Sequence, residues 1–212
     1  MSKEIALVEK NSFAITKTPP ETLPQILREN VGEKISIGDL ERVSMPTGGN
    51  VAWNIVDENG EDTAATEITG VIVQHGTRRR YYALSKDDEN AEDGPPDCSS
   101  DDGIHGFGKF RDETEPKRRL CATCPKNQWG SKIKNGKETK GKACSERKIL
   151  FLLRQNDMLP IVVDLAPTSI KPMREFMMRL TRQGRPVTSV VVALRLKKEG
   201  DSGNPYSVLV PR

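Results

Sequence analysis

The stretch KILFLLRQNDMLPIVVDL, residues 148–165, carries the reading on which the fold turns. Two apolar runs, Lys148–Leu153 and Leu159–Leu165, flank a polar break with Asn156-Asp157 at its centre. Short runs rich in Ile, Val and Phe and bounded by turn residues read as strands. Toward the C-terminus, Ala166 to Arg182 places Ile170, Met173, Phe176, Met177 and Leu180 on one helical face. Thr168 or Ser169 is the expected cap, Pro172 sits early enough to be tolerated, and Gly184 ends the helix. A methionine-bearing face of this kind reads as core. Pro186–Leu196 is then a long strand, Lys197–Asn204 a polar turn, and Tyr206–Val210 a last strand.

Toward the N-terminus, Glu67–Gln74 is a strand, and Val71–Gln74 with Arg80–Leu84 predicts a hairpin about Gly76. Strand, strand, strand, helix, strand, strand is the order of an OB-fold, a small barrel that often binds oligonucleotides. The expected class is therefore mainly β with α (α+β), an OB-like barrel from residues 67–93 and 147–212. A general α+β sheet fits the same segments. Residues 1–66 would add an arm with an edge strand at Ile5–Val8, a short helix and an accessory strand. The helix starts at Thr18-Pro19-Pro20-Glu21, docks through Leu23, Ile26 and Leu27, and ends at Gly32. The accessory strand is Val51–Val56, with Trp53 and Ile55 on one face; Asp39–Val43 is ambiguous.

Residues 94–146 form an insertion that holds all four cysteines: Cys98, Cys121, Cys124 and Cys144. Cys121-x-x-Cys124 has the spacing of a metal-binding pair, and four thiolates complete a tetrahedral structural zinc site with no open position. An iron–sulfur cluster takes the same donors, two disulfides would suit an oxidising compartment, and His105 could replace one cysteine. Met1-Ser2-Lys3-Glu4 carries no apolar run, which points to a reducing cytoplasm, here of a bacterial host cell, and hence to metal. A thioredoxin-like pair is disfavoured on the expectation that no strand leads into Cys121. No apolar run is long enough to span a bilayer.

Net charge is only +3, but it is unevenly spread. Residues 86–102 hold eight acids against one base, and residues 109–148 hold thirteen bases against five acids. A concentrated basic patch is the footprint of a polyanion. Arg78, Arg79 and Arg80 adjoin Tyr81 and Tyr82. Phe107 is interleaved with Lys109 and Arg111. Trp129 precedes Lys132, Lys134 and Lys142 on glycine-rich loops. Guanidinium and ammonium groups neutralise phosphates while rings offer faces to bases, which is what a single strand needs. Trp53 and Phe110 complete the set of candidate platforms, with Trp129 and Tyr81 foremost. The acidic stretch reads as a flexible lead into the module.

Ile68-Thr69-Gly70-Val71-Ile72, Pro96-Asp97-Cys98-Ser99-Ser100-Asp101-Asp102-Gly103, Cys121-x-x-Cys124-Pro125-x-Asn127-Gln128-Trp129-Gly130-Ser131 and Gly141-Lys142-Ala143-Cys144 together resemble a group of phage and prophage proteins of largely unassigned function. The resemblance covers roughly residues 30 to 210. More loosely, a zinc-bearing OB-fold is similar to phage single-stranded-DNA-binding proteins of the replisome. Many of those end in an acidic tail, whereas this chain ends Leu209-Val210-Pro211-Arg212.

The expectation is a non-enzymatic binder of single-stranded nucleic acid, most simply DNA, in phage replication or recombination, with replication or host proteins as further partners. The alternative is a protein-interaction factor that redirects host transcription or defence machinery. Against an enzyme, no His-x-Glu precedes Pro-Cys-x-x-Cys as a deaminase requires, and His75 and His105 are the only histidines. Carboxylate-based magnesium chemistry from the acids at 87–102 is the remaining enzymatic option.

Overall fold

A computed structural model describes residues 19–32, 35–57, 59–84, 94–134 and 136–212. The strands are β1 (Arg42–Ser44), β2 (Trp53–Val56), β3 (Asp62–Ala65), β4 (Glu67–Tyr81), β5 (Cys98–Ser100), β6 (His105–Gly108), β7 (Lys117–Leu120), β8 (Ile133–Lys134), β9 (Lys137–Glu138), β10 (Ser145–Leu153), β11 (Ile161–Leu165), β12 (Val191–Glu199) and β13 (Tyr206–Pro211). The helices are α1 (Leu23–Asn30) and α2 (Pro167–Arg182). The protein is mainly β with some helix.

β4 is the spine. Its fifteen residues pair with β10 along one edge, and with β12 and then β5 along the other. The expected hairpin at Gly76 does not form. Gly76 lies mid-strand opposite Ile149, because β10 pairs without a break from Arg80 down to Gln74 before a bulge shifts the register. The order β11-β10-β4-β12-β13, with α2 between β11 and β12, follows from these pairings. Among the described residues no sheet closes on itself. The free edge of β11, where closure would occur, is taken by β1 in parallel.

The strands enclose Ile68, Ile72, Leu150, Leu152, Val163, Leu165, Val192, Leu194 and Leu209, and α2 lays Met173, Phe176 and Leu180 on them. Trp53 is fully buried in this core and donates its indole N–H to the Leu194 carbonyl at 2.9 Å. That bond satisfies the ring nitrogen and removes Trp53 from any stacking surface. The expected cap residue Ser169 is instead buried, and its hydroxyl accepts the Leu209 N–H, tying α2 to β13. Ala166 holds the cap position without a side-chain bond. Thr18 and Ile5–Val8 lie outside the described residues. α1 keeps Leu23, Ile26 and Leu27 half-buried over Leu40, Met158 and Leu159, and Gly32 ends it at φ 102°.

The insertion enters between β4 and β10, whose ladder is the longest in the sheet, so its base is fixed by that ladder. From β4 the sheet continues through β5, β6 and β7. β7 runs directly into Cys121, contrary to the expectation that no strand would. It is an antiparallel strand against β6, without the crossover helix of a thioredoxin unit. Among the described residues no helix is long and apolar enough to cross a membrane.

Candidate metal centre and nucleic-acid interface

β5 presents Cys98, the turn after β7 presents Cys121 and Cys124, and the residue before β10 presents Cys144. All four line one small cavity of about 10 Å³, with Tyr81, Phe110, Gly106 and Asn127 around it. That is the space of a single atom or water. None of the four is in a disulfide. As placed, no three of the described His, Cys, Asp and Glu side chains are gathered closely enough to hold an ion.

Local packing keeps this cavity narrow. A Cβ on Gly106 would stand 3.2 Å from the Cys98 sulfur and 3.6 Å from that of Cys121, so only glycine lets β6 approach both. Gly108, at φ 157°, lies against the Asp97 carbonyl and the Cys98 Cα, which again leaves no room for a side chain. Burial, reinforced by the neighbouring cysteines, raises the Cys98 thiol and pushes Cys144 up to about 11. Asn127 is buried behind the cysteines. Its amide donates to the Cys121 carbonyl at 2.7 Å, and its oxygen accepts from Arg79 at 2.8 Å and Lys142 at 3.4 Å. Sequence reading missed Asn127 as a strut; its place two residues after Cys124-Pro125 was the available signal.

His105 lies outside the cavity. It sits on β6 with its Nδ1 2.9 Å from Asp102. The Asp102 carboxylate also accepts from the Ile104 and His105 amides and the Ser100 hydroxyl. The His105 bonds, followed by that from Ile104, hold Asp102 well below the usual carboxylate range.

The predicted nucleic-acid residues divide into three groups. Tyr81 is buried, edge-on to Phe110 at 5.3 Å between ring centres, in the small core around Cys98 and Cys124. Neither ring offers an open face: the Arg119 guanidinium lies 3.7 Å over Phe110. Arg79 is spent as a strut, bonding the Gly103 carbonyl, Asn127 and Glu146. Arg78 is 5 % exposed and pairs with Asp101 at 2.9 Å.

The second group is open. Trp129 is 78 % exposed, with the Lys142 ammonium 5.2 Å over its ring. Phe107 is 62 % exposed on β6. Lys109, Arg111 and Lys132 are exposed. Tyr82, 39 % exposed, lines a groove of about 270 Å³ with Arg80, Lys126, Lys132, Ile133 and Ser145. No acidic side chain is among that groove's described lining residues. Lys126 is an addition to the expected set, because Pro125 starts a 3-10 turn that aims it back over Tyr81 and Phe110. In the third group, the Lys134 side chain lies outside the described residues, as do residues 86–93 of the acidic stretch.

Compared with family models, with curated proteins and with solved structures, the chain matches none.

Proposed function

We propose that this protein binds single-stranded nucleic acid, most simply DNA, without catalysing a reaction on it, and acts in phage replication or recombination. The observation that carries the reading is the acid-free groove of Arg80, Tyr82, Lys126 and Lys132 on the same lobe as the exposed Trp129 with Lys142 over its ring. Cations along a groove neutralise a backbone, and an open ring stacks a base whatever its identity. The strand order β11-β10-β4-β12-β13 around α2 supports an open, OB-like frame, with the cysteine lobe in the loop between the first two strands. That loop is one of the places where OB-folds contact oligonucleotides.

The four cysteines are the ligand set for one structural zinc ion. The donor chemistry fits: four thiols, free of disulfides, line one atom-sized cavity. A zinc ion held by Cys98, Cys121, Cys124 and Cys144 would supply the charge that makes thiolates stable there. Neutral thiols alone leave the lobe with little to hold it.

The test is a salt titration of binding to a fluorescent oligothymidine and to a duplex of equal length, on metal-analysed protein. Tighter binding to the single strand, falling steeply with salt, is expected. Equal, weak binding to both would remove the reading. The exposed Ile104 just before β6, Phe107 on β6 and Leu120 on β7 favour the second reading, a protein-interaction factor. One stoichiometric host partner with no nucleic acid would establish that instead.

A further inference from the structure

The outer face of β1, β11, β10 and β4 gathers four arginines. Arg78 and Arg80 alternate to one side of β4, and Arg147 on β10 is the register partner of Arg78. Arg42 stands on β1, two residues before Ser44, the partner of Asp164 on β11. Directly opposed like charges destabilise a sheet, and arginine cannot relieve them by losing its proton. Among the described residues the counter-charge is thin. Asp164 is buried between Arg42 and Arg147 at 3.7 and 3.8 Å, beyond hydrogen-bond reach, and its Oδ1 has no hydrogen-bond partner. The Arg78 side chain is 6 % exposed, its Nε is likewise unpartnered, and its ion pair is to Asp101, whose own side chain is 76 % exposed. Burial and the nearby Arg78 hold the Arg42 guanidinium below its ordinary range, with Asp164 and Asp101 opposing. Among the described residues, four fixed positive charges thus face two negative ones, and one of those two is a surface residue.

We propose that this face is an oxyanion site that takes a backbone phosphate of a bound strand, with Arg42, Arg78, Arg80 and Arg147 as its donors and Asp101 as the counter-ion that the phosphate displaces. Planar guanidiniums suit phosphate oxygens better than any other side chain. Arg80 also lines the groove with Tyr82 and Lys132, so the strand's path runs from the lobe onto the sheet. The ligand's identity rests on the single-strand reading; the site itself rests on the arginines alone.

Three measurements test it. In wild-type protein, inorganic phosphate shifts the NMR resonance of the Arg78 Nε–H. The double variant Arg42→Gln/Arg147→Gln weakens oligothymidine binding and flattens its salt dependence by about 0.7, the slope expected for one phosphate contact on a single strand. Asp101→Asn does the reverse and tightens binding several-fold, whereas Glu175→Gln, an exposed acid on α2 outside the cluster, leaves it unchanged. An unchanged salt slope in the double variant, with Trp129→Ala still weakening binding, overturns the arginine site and spares the single-strand reading. A wild-type protein that ignores oligothymidine but shows the phosphate-induced Arg78 shift keeps the oxyanion site and loses the strand. If the double variant does not fold, the wild-type titration decides: an Arg78 resonance indifferent to phosphate overturns the proposal.

Discussion

Among the described residues, the sheet and α2 bury sixteen apolar side chains in one cluster, while the cluster of the cysteine lobe has only Tyr81, Cys98, Phe110 and Cys124. The sheet core has strands long enough for period-2 alternation and a helix to cover them. The lobe has strands of two to four residues, and its interior is completed by sulfur, Asn127 and the Arg79 and Arg119 struts. A unit this small gains little from apolar burial to offset its ordering entropy, and in the reading proposed above a zinc ion would be its staple. The comparison teaches that the two regions fail under different stresses, and that the exposed cations and rings are carried by the weaker one.

The largest effect should come from removing the staple. Chelation, or Cys124→Ser, is expected to abolish hydrogen-exchange protection across residues 98–144 while β10, β11 and β12 stay protected, with one zinc per chain lost by metal analysis. Structural zinc is worth about 10–16 kcal/mol in small finger peptides, so partial protection is not expected. Full protection of the lobe in chelator would break the comparison.

Next, Trp53→Ala should lower unfolding stability by about 3–5 kcal/mol, since it empties a large, fully buried site and orphans the Leu194 carbonyl. Urea unfolding reads this, and the zinc content of the folded fraction should not change. Loss of zinc at equal stability would mean that the two regions are one cooperative unit.

Trp129→Ala sharpens the functional side. It should weaken oligothymidine binding by about 1–3 kcal/mol and alter stability by no more than about 0.5 kcal/mol, because the ring is mostly in solvent. An unchanged affinity would remove Trp129 from the interface.

The smallest effect concerns pH. Partial desolvation, with Lys148 nearby, lowers the pKa of His75 below its ordinary 6.5, although the residue is exposed. The folded state therefore binds its proton less readily than the unfolded state does. The contribution is complete above about pH 6.5 and is lost as pH falls toward the folded value. His75→Gln should flatten that part of the stability curve, and an unchanged slope would place the titration elsewhere.

Much of the sheet was legible because its residues repeat. Ile149 to Leu153, Ile161 to Leu165, the Met173–Phe176–Leu180 stripe and the glycines at 32 and 184 each carry their signal within a few positions. That the four cysteines belong together was legible too, since they are the only thiols of the chain, and the structure lines one cavity with them. The failures share one cause. A hairpin at Gly76, a hydroxyl cap at Ser169 and a stacking Tyr81 were all reasonable locally, and each was overruled by a partner far along the chain: β10 for Gly76, Leu209 for Ser169, Phe110 and the thiols for Tyr81. The sequence by itself determined the class of the elements, their order and the chemistry of the donors, because periodicity and residue type are local properties. Only the tertiary structure decided which arginines are struts, which are buried beside Asp101 and Asp164, and which ring stands in solvent, because burial and charge pairing depend on neighbours that no stretch of sequence contains.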